Sequence, residues 1–201
     1  MHRGRKKRSV KDMRRDELME AAIMVIAKEG LHGTTLSQIA VEAGMSTALV
    51  NHYFDSKEDL LEATMRRLSG RYRSEIMALM PADPTPAQRL RAIIEGSFQP
   101  DNLTLASRKA WVQFLVNAMS GGRIFHLFRL TGERVVSNIR YAVKQLVPPD
   151  QVDDTVDGIA AMIDGFFWEN ATDCSAEDLK RARRICWNYA CLLIPALRSS
   201  H

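Results

Sequence analysis

The segment TTLSQIAVEAGMSTALVNHYFDSKEDLL, residues 34–61, contains two short helix signals on either side of a glycine. Thr35 and Gln38 have the spacing of a capping box, in which the threonine accepts from the Gln38 amide and the glutamine side chain reaches back. This pattern predicts a helix over about 36–43, a turn at Gly44 where no Cβ has to be accommodated, and a second short helix. These are the dimensions of a helix-turn-helix, whose second helix enters the DNA major groove.

The outward face of the second helix suits a DNA duplex. Leu49 and Val50 are expected to face the core, which leaves the remaining side chains outside. Asn51 can form paired hydrogen bonds with an adenine edge, and its neighbours can meet a thymine methyl group or a phosphate. Residues 45–54 include no acidic side chain, as a surface that faces phosphates requires. The predicted DNA-binding residues are Thr35, Ser37, Ser46, Thr47, Ala48, Asn51, His52, Tyr53 and Lys57.

The positive charge of the chain is concentrated at its N-terminus. The formal net charge is +4, but residues 1–15 alone carry eight basic side chains and one acidic side chain. Residues 16–60 carry two basic and eight acidic side chains, so the helix-turn-helix segment is itself acidic. The sequence therefore predicts a flexible basic arm over residues 1–13, which could lie along the DNA backbone or in the minor groove.

The rest of the chain is predicted to be helical, because no run of alternating polar and apolar residues of useful length occurs. We expect an all-α fold of about nine helices, with a DNA-binding domain over 14–60 and a ligand-binding and dimerisation domain over 61–201. After the proline-rich stretch around 81–86, the predicted helices cover about 86–98, 103–118, 122–147, 151–172 and 176–197.

Nothing in the sequence indicates a catalytic or metal centre. The three cysteines include no CxxC pair, no histidine stands at zinc-site spacing, and no catalytic constellation is visible. We therefore predict no metal, no cofactor and no catalytic residue. No apolar stretch near the N-terminus is long enough for an export or membrane segment, so a cytoplasmic protein with no membrane partner is expected.

The helix-turn-helix segment resembles the signature of the tetracycline-repressor (TetR) family. The resemblance rests on TTLSQIA (34–40), AGMS (43–46) and HYFDSKEDLL (52–61). It implies a homodimer that reads a palindromic double-stranded DNA operator, a divergent ligand-binding body, and dimerisation through the last two helices, about 151–172 and 176–197. Asn51 departs from the pattern, since many relatives carry an aromatic residue there.

The body is rich in aromatic residues, with nine of the 14 in the chain between Phe98 and Trp168. Asp164 lies among apolar neighbours, and a carboxylate there is costly unless it finds a partner. Aromatic rings with one carboxylate can hold a quaternary ammonium, which is bound by ring faces and charge. The predicted ligand-binding residues are Phe98, Trp111, Phe114, Tyr141, Asp164 and Trp168. Alternatively, Asp164 forms a structural link to an arginine such as Arg123, Arg129 or Arg140, and Glu169 is an alternative carboxylate for the pocket.

The body also resembles the BetI-type repressors, a choline-responsive group within the TetR family. The matching runs are LLEATMR (60–66), QRL (88–90), KAW (109–111), SN (137–138) and MIDG (162–165). The resemblance implies choline as the inducer and control of the genes that convert choline to glycine betaine under osmotic stress. A TetR-type regulator with a different hydrophobic or cationic ligand is the nearer alternative, and a helical enzyme is the remote one.

Overall fold

The computed structural model describes residues 9–99, 104–118, 123–171 and 174–199, which form nine α-helices, two 3-10 turns and no strand. The all-α prediction is therefore confirmed. The helices are α1 (Val10–Gly33), α2 (Leu36–Glu42), α3 (Thr47–Tyr53), α4 (Lys57–Ala78), α5 (Pro86–Gly96), α6 (Leu105–Ala118), α7 (Arg123–Val143), α8 (Val152–Glu169) and α9 (Ala176–Leu193).

Helix α1 begins earlier than the N-terminal charge pattern suggests. The Ser9 hydroxyl accepts a hydrogen bond from the Asp12 amide at 3.1 Å, and the Asp12 carboxylate reaches back to the Ser9 backbone, which closes a capping box. Residues 10–13, predicted to belong to a flexible arm, are thus helical, because this local cap starts the helix. The rest of the predicted arm, residues 1–8, lies outside the described residues.

The helix-turn-helix forms as its local signals predict. Gln38 accepts from the Thr35 amide at 2.8 Å, and Thr35 accepts from the Gln38 amide at 3.2 Å. Gly44 makes the turn with a φ of 63°, in the left-handed region that glycine adopts without a Cβ penalty. Ser46 then caps α3 by accepting from the Leu49 amide at 3.2 Å. The predicted capping box and turn are confirmed.

Two hydrophobic cores divide the described part of the chain. The first joins α1 to α4, and it also includes Ala110, Trp111 and Phe114 from α6. The second is built from α5, α7, α8 and α9. Helix α6, which the sequence assigns to the ligand-binding domain, therefore packs directly on the DNA-binding helices. The domain boundary predicted near residue 60 stays a prediction, but this shared core links the two sides of it.

The described residues form no helix that is long and apolar enough to cross a membrane. Within the described residues, no disulfide bond joins Cys174, Cys186 and Cys191. Burial raises the pKa of Cys186 to about 12, so this thiol stays protonated at neutral pH.

Candidate DNA-binding surface and ligand cavity

Helix α3 presents the face that its sequence predicts. Val50 is completely buried, whereas Thr47, Ala48, Asn51 and His52 are exposed. Four more of the predicted residues lie close to this face along the chain: Ser46 is exposed before α3, Thr35 and Ser37 are exposed at the start of α2, and Tyr53 is half-buried at the end of α3. Lys57 begins α4 and is half-buried. Contact of these nine residues with DNA stays a prediction.

Arg15 fixes the end of α3. Its guanidinium donates to the backbone carbonyl of Tyr53 and lies over the Phe54 ring, 4.1 Å from the centroid. Carbonyl groups at a helix C-terminus carry partial negative charge, which a nearby cation stabilises. From the sequence alone, Arg15 is only one of the basic residues that give the N-terminus its positive charge. Its role was not foreseen, because its partners lie 38 residues further along the chain.

Ion pairs join the first helix to the long helix that follows α3. Arg67 on α4 donates to Asp16 at 2.7 Å and also to Glu20, and Arg71 pairs with Glu20 as well. These side chains are partly buried, so the pairs are less screened by solvent than fully exposed ones. The acidic charge of the DNA-binding segment is thus partly balanced from α4.

A cavity of about 140 Å³ lies between α4, α6, α7 and α8. Five aromatic residues and one carboxylate contribute to its wall: Tyr72, Trp111, Phe128, Phe167, Trp168 and Asp164. The Trp111 ring meets Phe128 edge-on at 5.6 Å and Phe167 at 6.2 Å, between ring centroids. Phe167 in turn meets Trp168 at 5.1 Å. The rings therefore form a connected aromatic wall. The sequence predicts such a wall, but not all of the residues that form it.

Asp164 lies on the wall of this cavity, with part of its side chain open to solvent. Partial burial raises the pKa of Asp164 above its ordinary value, because the low-dielectric surroundings disfavour the charged form. A cation placed beside it would reverse that penalty. Of the two carboxylates considered on α8, Asp164 is the one that lines the cavity.

The arginines suggested as structural partners of Asp164 pair elsewhere. Arg123 lies 3.7 Å from Glu62, Arg129 lies 2.9 Å from Glu133, and Arg140 pairs with Asp153. The structural link predicted for Asp164 is therefore wrong for these three arginines. Arg129 and Glu133 are four residues apart on one helix, and such a local pair forms more readily than a distant one.

Tyr72 is a cavity residue that the sequence did not indicate. Its hydroxyl lies 2.8 Å from the Ser97 hydroxyl. Burial raises the pKa of Tyr72 to about 12, and the negative charge of Asp164 adds to this effect. Tyr72 therefore stays a neutral phenol. It lies on α4, outside the aromatic-rich segment, so only the packing of α4 on the body brings it here.

Three of the predicted ligand-binding residues lie elsewhere. Phe98 is buried in the second core and Phe114 in the first, with 1% and 0% of their surfaces exposed. Tyr141 is 52% exposed, and the cations of Arg89 and Lys144 lie over its ring. The structure does not bring these three residues to the cavity, because aromatic side chains also fill cores and cover surfaces. Trp111, Asp164 and Trp168 do line the cavity, together with the unforeseen Phe128 and Phe167.

Two family profiles match this chain. The profile for "Bacterial regulatory proteins, tetR family" matches residues 18–64, and that for "BetI-type transcriptional repressor, C-terminal" matches residues 86–194. The first match covers the helix-turn-helix and the second covers most of the body, including α6, α7 and α8.

Curated relatives with the same architecture are transcriptional regulators. The chain is 39% identical over 155 residues to the HTH-type transcriptional regulator BetI of Rhizobium meliloti, which covers 77% of this chain and 76% of the relative. It is 31% identical over 191 residues to BetI of Escherichia coli (strain K12), covering 94% and 98%. These relatives are named as regulators, which argues against the helical enzyme.

Solved structures show the same fold. A putative TetR-family regulator from Rhodococcus sp. superposes with a TM-score of 0.78 at 21% identity, covering 90% of this chain and 98% of that one. A putative transcriptional regulator from Saccharomonospora viridis, solved in complex with choline, superposes with a TM-score of 0.75 at 22% identity, covering 89% and 95%. At these identities the likeness establishes the fold alone.

Proposed function

The chain belongs to the TetR family of transcriptional repressors and carries a BetI-type C-terminal domain, and we propose that choline is its inducer. In this proposal the protein represses the genes that convert choline to glycine betaine and leaves its operator when choline binds. The observation that carries the proposal is the cavity between α4, α6, α7 and α8, in which Asp164 accompanies five aromatic side chains.

The cavity has the chemistry that a quaternary ammonium needs. Such a group cannot donate an ordinary hydrogen bond, so ring faces and a negative charge are what can hold it. Trp111 and Phe167 supply ring faces and Asp164 supplies the charge. The Trp111 Nε1 atom is buried and makes no hydrogen bond within the described part of the chain.

The names of the relatives support the same ligand. The curated relatives are BetI regulators, and one structural neighbour was solved with choline. A different hydrophobic ligand, such as a fatty acyl compound, would use the rings but would gain nothing from Asp164. A different cationic ligand would use both. Dependence on Asp164 therefore separates choline from an uncharged hydrophobic ligand, but not from another cation.

Two helices connect the cavity to the DNA-binding surface. Helix α4 begins at Lys57, just after α3, and carries Tyr72 into the cavity wall. Helix α6 carries Trp111 into the same wall and packs in the first core against α1. Ligand that moves either helix would change the orientation of α3. Such a ligand releases the protein from the operator only if it binds the arrangement that cannot hold DNA more tightly than the arrangement that can.

TetR-family regulators dimerise, and we place the dimer contact of this chain on α8 and α9. Asp157 is exposed on α8, while Arg181 and Arg184 are exposed on α9. A two-fold axis presents the same patch of each subunit to the other, so an acidic α8 and a basic α9 complement each other. The dimer would hold two α3 helices about one DNA turn apart, roughly 34 Å, on a palindromic operator. Sedimentation should give twice the mass of one chain.

A titration of intrinsic tryptophan fluorescence tests the ligand. Trp111 and Trp168 line the cavity, so choline should change their emission in a saturable way. The matched measurement uses tert-butylammonium, whose headgroup has similar bulk but keeps N–H donors. A saturable signal with choline that is lost in Asp164→Asn supports the proposal. An unchanged signal up to millimolar choline would refute the choline site.

A further inference from the structure

A second cleft, of about 360 Å³, adjoins the aromatic cavity between α4, α5 and α7. Three residues belong to the walls of both: Tyr72, Thr131 and Val135. The two spaces therefore lie side by side, with these three residues at their shared boundary. A ligand larger than choline could occupy both at once. We call the second space the arginine cleft, because its charged lining residues are Arg66, Arg73, Arg89 and Arg134.

The arginine cleft carries positive charge that its own wall does not balance. No carboxylate is among its lining residues, all of which lie in the described part of the chain. Arg66 forms an ion pair with Glu62 at 2.7 Å, so the Glu62 carboxylate already neutralises part of its charge. Arg89 lies over the Tyr141 ring at 4.9 Å, a contact that leaves its charge in place. Arg73 and Arg134 are exposed and line the cleft from α4 and α7.

The groups in this cleft match an oxyanion better than a simple counter-ion. A guanidinium presents planar paired donors that fit two oxygens of a phosphate or carboxylate. The remaining wall is mostly apolar, with Ile76, Met80 and Ile93 on one side and Leu127 on the other, and it also includes uncharged polar side chains such as Ser69 and Asn138. Free inorganic phosphate has no apolar part that could contact such a wall. A ligand with an anionic group on a carbon chain could contact both the arginines and the apolar side chains.

Resting on the function proposed above, we infer that the inducer site extends into the arginine cleft and accepts quaternary ammonium compounds that carry a phosphate. The ammonium group would occupy the aromatic cavity beside Asp164, and the phosphate would meet Arg73 and Arg134. Phosphocholine is the smallest compound of this class. The same headgroup occurs in lysophosphatidylcholine, whose chain could extend along the apolar wall.

The test measures binding of choline, phosphocholine, inorganic phosphate and lysophosphatidylcholine to the purified full-length protein by calorimetry at fixed ionic strength. Two charge-assisted hydrogen bonds predict that phosphocholine binds at least about tenfold more tightly than choline. Arg73→Gln and Arg134→Gln should each remove most of this advantage. Neither side chain lines the aromatic cavity, so choline affinity should change less than about twofold by the same reasoning.

Arg129→Gln is the matched control, because Arg129 is exposed on α7, pairs with Glu133 and does not line the cleft. It removes the same charge as Arg134→Gln and should leave both affinities unchanged. Tighter binding of lysophosphatidylcholine than of phosphocholine would identify a lipid headgroup as the source. Equal binding of the two would show that the acyl chain contributes nothing and that the headgroup alone is recognised, which favours the free phosphoester.

Two results would overturn the inference. Equal affinity for choline and phosphocholine would show that the cleft contributes nothing, while leaving choline as the inducer. An equal loss of affinity in the Arg129 and Arg134 variants would show a general charge effect. If no quaternary ammonium compound binds at all, the proposed function itself fails, and that outcome is recognisable because choline alone already gives no heat.

Discussion

The side-chain oxygen of Gln113 accepts a hydrogen bond from the backbone amide of Leu31 at 3.3 Å. This contact joins α6 to α1 immediately after Gly30, whose φ of 73° interrupts the helix. Trp111, two residues before Gln113, lines the ligand cavity. A side chain in the cavity wall and a contact beside the backbone break in the first DNA-binding helix are thus separated by two residues of α6.

Gln113→Ala is expected to weaken the coupling between ligand and operator. Choline affinity and operator affinity should each change little, because Gln113 lies in neither site. The choline concentration needed to release the operator should rise several-fold, since couplings of this kind are worth about 0.5–2 kcal/mol. Fluorescence anisotropy of a labelled operator under choline titration measures this. Gln145→Ala, at an exposed position in the turn that follows α7, is the control. An identical shift in both variants would show that Gln113 does not couple the cavity to the operator.

Asp164→Asn should weaken ligand binding and increase the stability of the fold. The variant loses the charge that faces the ammonium group, so choline affinity should fall by about tenfold. It also loses a partly buried charge, so its melting temperature at pH 7 should rise. Glu169→Gln, also on α8 but not in the cavity wall, should leave choline affinity unchanged. A variant that binds choline as well as the wild type would show that the rings alone hold the ligand.

Choline affinity should depend on pH through Asp164. Burial raises the pKa of this carboxyl in the folded protein, so the protonated form is favoured relative to the unfolded chain. The contribution of this group to stability is therefore greatest on the acid side and is lost as the pH rises through the raised pKa. Ligand binding has the opposite sign: choline needs the ionised form, so its affinity should fall as the pH drops through that pKa. In Asp164→Asn this acid-side loss should be absent.

Arg15→Ala should weaken operator binding by loosening the end of α3. The guanidinium holds the Tyr53 carbonyl and the Phe54 ring, and loss of a charge-assisted hydrogen bond is worth about 1.5–3 kcal/mol. We expect operator affinity to fall about tenfold or more. Because Arg15 positions the helix and does not itself contact phosphate, the slope of log affinity against log salt should stay unchanged. Arg14→Ala, whose partner is Glu17 on the surface, is the control. A shallower slope in Arg15→Ala would identify a phosphate contact instead.

Asn51→Ala tests base recognition by α3. Its side chain is exposed on the helix, as a residue that reads a base edge must be. Loss of a paired contact with a base costs about 1–3 kcal/mol, so operator affinity should fall roughly five- to 150-fold while affinity for random DNA changes less. Competition binding with both DNAs measures the ratio. An equal loss on both would assign Asn51 to the phosphate backbone.

The helix-turn-helix could be predicted from the sequence because its signals are local. Thr35 and Gln38 are three residues apart, and Gly44 needs only its own backbone to make the turn. For the cavity, the sequence predicts aromatic rings with one carboxylate but not the full set of residues that line it. Trp111 and Phe114 share one face of α6, yet only Trp111 lines the cavity, because the packing of α6 against α1 decides where each ring ends. Tyr72 and Arg15 contribute through contacts with residues far along the chain, which no local pattern encodes.

We propose that choline releases the operator by binding in the aromatic cavity. The most direct measurement is the anisotropy of a labelled promoter fragment, taken from upstream of the protein's own gene, during choline titration of the wild type and of Trp168→Ala. We expect both proteins to bind the operator equally well without choline. At saturating choline, the wild type should release the operator and Trp168→Ala should retain it. Failure of choline to release the wild type, or equal release from both proteins, would contradict it.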